Sequence, residues 1–270
     1  MRYFLSFVLI LTTISVYAQK HEKRDVGGFQ SVSLAFPGTL YLKQGGTTSV
    51  ELSGDKELLE KIETKVEGSR LIIRRKDMFK SWINWDDYGK LTAWVTLPRL
   101  TGVSVSGSGK VIGENRFKTG PLSVKVSGSG SIEMESESDE TDTDVSGSGH
   151  ISLKGAFTSV DADVSGSGRI TLSGAISGTL SSAISGSGRI EASGTAKILR
   201  ASVSGSGRVA GFGLGVERCY TKIAGSGNVE VTAEKEIDAE ISGSGTVLYK
   251  GSPDHISSHT AGSGKVRKVE

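Results

Sequence analysis

The stretch that decides the fold is Val160-Asp161-Ala162-Asp163-Val164-Ser165-Gly166-Ser167-Gly168-Arg169-Ile170-Thr171-Leu172. Apolar or small residues fall on every second position with polar residues between them, the period-2 pattern of extended chain with one face buried. The phase carries through the Ser-Gly-Ser-Gly, which places both glycines on the inner face and both serines outside. That tetrapeptide, or Ala-Gly-Ser-Gly, occurs nine times in the 270-residue chain, starting at Ser106, Ser127, Ser146, Ser165, Ser185, Ser204, Ala224, Ser242 and Ala261. Successive starts are 21, 19, 19, 20, 19, 20, 18 and 19 residues apart. A period that tight over more than half the chain means one short supersecondary unit stacked repeatedly.

The copies agree position by position. Two residues beyond the last Gly the residue is β-branched in all nine, from Val111 and Ile132 to Val247 and Val266. Val or Ile precedes the motif in eight copies, with Thr260 the exception. Two residues earlier the inner slot is small or medium (Ala162, Ser182, Ala201, Ala239), and two earlier again it holds Val160, Leu180, Leu199, Cys219 or Ile237. A coil of about 19 residues is too short for a strand-plus-helix repeat. The Leu and Asn positions of leucine-rich repeats are missing, and so is the Gly-Gly-x-Gly-x-Asp calcium pattern. The pattern predicts an all-β chain, a parallel β-helix or β-solenoid with coils of about 19 residues. At about 4.8 Å per coil, nine coils make a rod roughly 40 Å long. A flexible Gly/Ser linker fails as an explanation, because each motif is four residues flanked in phase by Val and Ile. The motif serines could bond to one another or to backbone as ladders between coils.

Lys+Arg 32 against Asp+Glu 30 is near neutrality, so composition makes no case for nucleic acid. Arg2, the apolar run Phe4 to Val16 and Val16-Tyr17-Ala18 read as a signal peptide over residues 1–18, cleaved after Ala18. The run is shorter than the roughly 20 apolar residues a span needs, and no other stretch could cross a bilayer as a helix. The expected destinations are the periplasm, the cell surface or the medium. Cys219 alone cannot form an intrachain disulfide, and its slot predicts a buried structural thiol.

Residues 26–270 read as one solenoid domain, with 26–100 as irregular N-terminal coils and 101–270 as the repeat coils. Val32 to Leu42 looks like a degenerate first coil, Val50-Glu51-Leu52 and Leu71-Ile72-Ile73 like strands, and Asp55 to Ile62 like a short helix. Ala93 to Leu97 returns the chain to the solenoid. Trp82, Trp85 and Tyr88, with Asp86 and Asp87, gather in an insertion around Met78 to Lys90 that suits sugar stacking or a protein contact if exposed.

Phe29-Gln30-Ser31-Val32, Leu40 to Gly45, Val50 to Asp55, Leu71 to Ile73 and the Val-Ser-Gly-Ser-Gly coils resemble the head GIN domain family, described as auto-transporter adhesins and common in Bacteroidetes. The resemblance covers nearly all of the chain after residue 26. It implies a right-handed β-helix, export and an adhesin-like role, and carries over no catalytic or binding residue.

The outward position after each last Gly reads Lys110, Ser131, His150, Arg169, Arg189, Arg208, Asn228, Thr246 and Lys265. Arg169, Arg189 and Arg208 on consecutive coils would stack about 5 Å apart, a spacing suited to a row of phosphates, sulfates or uronates. Outward Glu191 and Glu230 could balance them. The acidic run Glu133 to Asp144 reads as a solvated bend between coils, and no metal or cofactor site is expected. The expected function is a non-enzymatic adhesin-like binding or structural protein of the cell envelope, with a cell-surface glycan or envelope polymer as partner. The alternative is a polysaccharide lyase or hydrolase on a β-helix scaffold. Such enzymes need long loops to wall a cleft, and coils of 18 to 21 residues leave room only around Met78 to Lys90.

Overall fold

The repeat residues build coils that pair in parallel with the coil before and after. The structure, a computed structural model, describes residues 20–76 and 90–270. Strand Ser131–Gly147 lies on His150–Gly166 with Ile132 opposite Ile151 and Val145 opposite Val164, and the same register runs on through Arg189–Gly205 and Arg208–Gly225 to Asn228–Gly243. All the β-branched residues two beyond the motif are buried from Val111 to Val247, as are the eight Val or Ile residues preceding it. The chain is therefore an all-β parallel solenoid of about nine turns.

One expectation needs correction. The two glycines of each motif are not equivalent, and the extended phase does not pass straight through. The first glycine has φ between +90° and +123° in all nine copies, and from Gly128 to Gly243 it is half-exposed. It turns the chain at a corner, in a backbone region that an L-residue with a Cβ enters only under strain. From Gly109 to Gly245 the second glycine is the buried one. A Cβ on Gly168 would collide with Cγ1 of Val145 in the preceding coil and stand 2.9 Å from the Gly149 carbonyl oxygen. The corner stays inside the sheet: the amide of Ser167 donates to Gly147 O and that of Arg169 to Gly149 O, both at 2.9 Å. The motif serines are exposed as expected, but their hydroxyls form no ladder; among the described residues none bonds to another protein group.

The acidic run bends only at its middle. Residues 133–144 lie within strand Ser131–Gly147, where Ser136, Ser138, Thr141 and Thr143 point inward among the apolar slots. The alternation slips at Asp139-Glu140, which makes a second corner. Glu135 and Glu137 meet Arg116 of the previous coil, and Glu133 meets Lys110 at 2.8 Å.

At the N-terminal end, chain order and spatial order differ. Strand Ser31–Ala35 is sandwiched between Gly102–Gly107 and Arg70–Arg75, and Gly38–Gln44 between Lys110–Lys118 and Leu91–Leu97. The coil expected to be first is therefore second in the stack, and Arg70–Arg75 and Leu91–Leu97 supply the outermost coil. Three antiparallel additions close that coil's free edge. Ile62–Glu67 pairs with Arg70–Arg75 through a two-residue turn at Gly68 (φ +62°) and Ser69, Ser49–Gly54 pairs with Leu91–Leu97, and Lys20–Lys23 pairs with Ser49–Gly54. The free edge thereby passes to the short strands Lys20–Lys23 and Ile62–Glu67, each of which pairs on one side among the described residues. The helix spans Lys56–Lys61 behind Asp55 and buries Leu58 and Leu59. At the other end, strand His255–Gly262 pairs only with Glu236–Gly243, so Ile256 in an inner slot is 42% exposed.

Ala201, 3% exposed, occupies the small slot between Ser182 and Thr221 of its neighbouring coils. Ala201→Leu should cost about 1–3 kcal/mol by overpacking, whereas exposed Arg189→Ala should cost within about 0.5 kcal/mol. Equal shifts in melting temperature would contradict the inward and outward assignment. Gly168→Ala should destabilise by a similar 1–3 kcal/mol or so, and adding Val145→Ala should recover part of that loss. Additive losses in a double-mutant cycle would show that the two residues do not interlock.

Candidate functional site

The position following the second glycine faces outward while its neighbour one residue on is buried, so each coil contributes one side chain to a column along the rod. Arg169, Arg189 and Arg208 are register partners on three consecutive strands, with His150 opposite Arg169 on the preceding one. The structure thus brings together the three arginines that the spacing singles out. Beside them, Ser148, Ser167 and Ser187 of the corner line a depression of about 460 Å³ together with His150, Arg169 and Arg189.

The column is partly neutralised. Glu191 Oε1 stands 3.8 Å from Arg169 Nε and 3.6 Å from Arg189 Nη1, and Glu230 Oε1 stands 3.8 Å from Arg208 Nη1. Three guanidinium groups therefore share two carboxylates. These separations are longer than a charge-assisted hydrogen bond of about 2.7–2.9 Å. Exposed pairs of this kind contribute about 0–1 kcal/mol. Among the described residues, none of the three guanidinium groups donates a hydrogen bond to protein. Their forked donors remain available to an oxyanion that can approach more closely.

Trp82, Trp85 and Tyr88 lie outside the described residues, as do residues 1–18, which the sequence reading takes for a signal peptide. Among the described residues no group of three or more His, Cys, Asp or Glu side chains is placed to hold a metal ion. No described helix is long and apolar enough to cross a membrane.

The sequence reading passed over a cluster on the adjacent face, on the strands that lead into the serine corner. The Arg200 guanidinium carbon lies 5.1 Å from the centroid of the Tyr220 ring, and Tyr220 Oη donates to Glu236 Oε2 at 3.1 Å. Aligning the copies four residues before each motif would have shown Arg200 and Tyr220 as successive members of one column, but only contact geometry shows that the guanidinium lies on the ring. Cys219, next to this cluster in sequence, is fully buried, with Sγ 3.3 Å from Thr221 Oγ1. Burial pushes its thiol up to about 11, against a smaller opposing effect of the Thr221 hydroxyl.

These features define a solenoid that displays regular columns of polar side chains on flat sheet faces. The sequence matches the family model “Putative auto-transporter adhesin, head GIN domain” over residues 28–192 and again over 175–253. The chain belongs to that family. Solved structures from Parabacteroides share the fold. A protein from P. distasonis described as a putative adhesin aligns with TM-score 0.73 at 21% identity, covering 93% of this chain and 97% of its own. One from P. merdae with the same description aligns at TM-score 0.73 and 20% identity, covering 93% and 96%. Another P. distasonis protein, described as a putative lipid binding protein, gives TM-score 0.70 at 24% identity, covering 93% and 97%. A comparison with curated proteins returns no match.

A thiol with this burial and pKa is almost wholly protonated and inaccessible at neutral pH. Cys219 should resist alkylation by iodoacetamide in the native protein and label only under unfolding conditions, with mass spectrometry as the readout. Stoichiometric labelling of the native protein would place it at the surface instead.

Proposed function

We propose that this protein is an exported, non-enzymatic binding protein of the cell envelope whose arginine column holds an anionic glycan or envelope polymer. The observation that carries the reading is the in-register stack of Arg169, Arg189 and Arg208, whose guanidinium groups keep their hydrogen-bond donors free beside a row of exposed serine hydroxyls. One cation per coil, about 4.8 Å apart, suits a ligand that carries repeated anionic groups. Engaging several groups at once raises overall affinity well beyond that of a single arginine. Glu191 and Glu230 set a threshold, because a ligand must outcompete two weak exposed pairs before it gains from the column. A lone carboxylate cannot do so, whereas a polymer that contacts several coils can. The N-terminal leader and the adhesin-like family agree with work outside the cytoplasm.

The test is binding of mature protein to immobilised polygalacturonate, heparin and neutral dextran, beside the Arg169→Ser/Arg189→Ser/Arg208→Ser variant, with analysis of the polymers afterwards. Binding to one or both polyanions and not to dextran is expected. It should fall with added salt, since exposed charges are screened beyond about 8–10 Å at physiological ionic strength, and it should be lost in the triple variant. Equal binding by the variant would reduce the column to a solvated surface. Shortened or unsaturated sugars would establish the lyase or hydrolase reading in its place.

A further inference from the structure

The face that leads into the serine corner carries a second arrangement, separate from the arginine column. Asp161, Ser181, Arg200 and Tyr220 are successive register partners, and two residues on the parallel column holds Asp163, Ala183, Ser202 and Lys222. Small side chains at Ser181, Ala183 and Ser202 separate an acidic end from one where Arg200 and Lys222 stand beside Asp238 and Glu240. They leave a depression of about 430 Å³ bordered by Asp163 on one side and by Arg200, Tyr220 and Lys222, with Asp238 and Glu240 behind them, on the other.

The charges flanking this depression are unbalanced. Lys222 is held by Glu240 at 3.0 Å, and Lys125 is held by Asp142 at 3.2 Å. Arg200 has no carboxylate within ion-pair distance among the described residues; its guanidinium lies instead over the ring of Tyr220, one coil further from the aspartates. Tyr220 is itself fixed by its bond to Glu236, which Arg218 approaches at 3.7 Å. Among the described residues Asp161 and Asp163 have no cation within ion-pair distance either, and Asp142 and Asp144 stand opposite them, respectively, on the preceding coil. Burial, and then the neighbouring Asp144, Asp142 and Asp161, raise the Asp163 carboxyl above its ordinary range. A carboxyl whose pKa is higher folded than unfolded costs the fold stability once ionised at neutral pH. The fold therefore keeps a like-charge cluster and a lone arginine facing each other across a gap that neither can close alone.

We propose that this depression binds a zwitterionic ligand, with an ammonium group at Asp163 and a carboxylate or phosphate at Arg200. Asp163 and Arg200 are two coils apart, about 10 Å between strands, and the stacking on Tyr220 carries the guanidinium further away. Allowing a hydrogen bond of about 2.8 Å at each end leaves roughly 5–8 Å between the charges of the ligand. Ligands that carry only one of the charges satisfy only one end. An α-amino acid, whose charges are adjacent, is too short to reach both.

The experiment titrates the mature protein by amide NMR with an ω-amino acid ladder: glycine, 4-aminobutanoate, 6-aminohexanoate and 8-aminooctanoate. Hexanoate and hexylamine serve as single-charge controls. 5-aminopentyl phosphate beside 6-aminohexanoate tells a phosphate ligand from a carboxylate one. Saturable shifts are expected at Ser181 to Ala183, Arg200 to Ser202 and Tyr220 to Lys222. Affinity should pass through a maximum along the ladder, with either single-charge control weaker by about tenfold or more, the scale of losing one charge-assisted contact. Arg200→Gln should lose that factor and Arg200→Lys should retain part of it. Asp163→Asn should also weaken binding while melting no lower than the parent, which separates loss of the site from loss of the fold. The proposal is overturned if no member of the ladder saturates, if hexanoate or hexylamine binds as well as the best zwitterion, or if Arg200→Gln binds unchanged. The Arg169→Ser/Arg189→Ser/Arg208→Ser variant should behave like the parent in this titration, so the two sites stand or fall separately.

Discussion

A methyl group seated on a glycine α-carbon holds this molecule in register. The Val or Ile that precedes each motif reaches the second glycine of the following coil, as Val145 reaches Gly168 and Ile184 reaches Gly207. The contact repeats from coil to coil along the inside of the serine corner. Any side chain at the second glycine would fill the space the methyl needs, and any residue other than glycine at the first would resist the corner's positive φ. The corner amides also donate to the glycine carbonyls of the preceding coil, so the bend keeps two bonds between coils at each turn. A slip of one residue would turn every inner side chain outward, and this interlock opposes it at each turn.

The rest of the interior tolerates more variation. The slot before the corner accepts Thr143, Ser182 and Thr221 beside Ala162, Ala201 and Ala239. Thr143 satisfies its hydroxyl by donating to the Asp161 carbonyl at 3.2 Å, and Thr221 meets Cys219, whereas the Ser136 and Ser182 hydroxyls are buried without a protein partner. Such groups weaken a core by about 1–3 kcal/mol each, yet the ladder of backbone bonds on both sides keeps the coil in place. Sequence variation concentrates in these slots and on the outer columns, while the β-branched positions and the glycines stay fixed across the copies.

The repeat made the strand alternation, the parallel stacking, the buried Cys219 and the three-arginine column legible, because all of them follow from period and phase. Two kinds of feature were not legible. The unequal roles of Gly166 and Gly168 depend on a backbone torsion, and Ser-Gly-Ser-Gly reads the same way whether the chain runs straight or turns. The swap of coil order at the N-terminal end depends on which edges pair at long range, and residues 31–44 and 70–97 carry strand patterns with nothing to rank them. Within the candidate sites, the column containing Arg189 could be listed from spacing, but the partial neutralisation by Glu191 could not, since side-chain reach and not register decides it. Arg200 and Tyr220 were visible as residues and invisible as a pair.

The coil swap has a consequence for how this rod can lengthen. Residues 31–44 are locked between the Arg70–Arg75 and Leu91–Leu97 coil on one side and residues 102–118 on the other, so a turn inserted at the N-terminal end would have to part strands that are distant in the chain. Beyond it, every coil touches only its immediate neighbours in the chain, so duplicating or deleting one stretch of about 19 residues lengthens or shortens the rod by one layer and disturbs nothing else. Such a molecule can evolve as a ruler with a fixed zero mark. Its polar columns gain or lose teeth at one end only, and reach and valency change together in single steps.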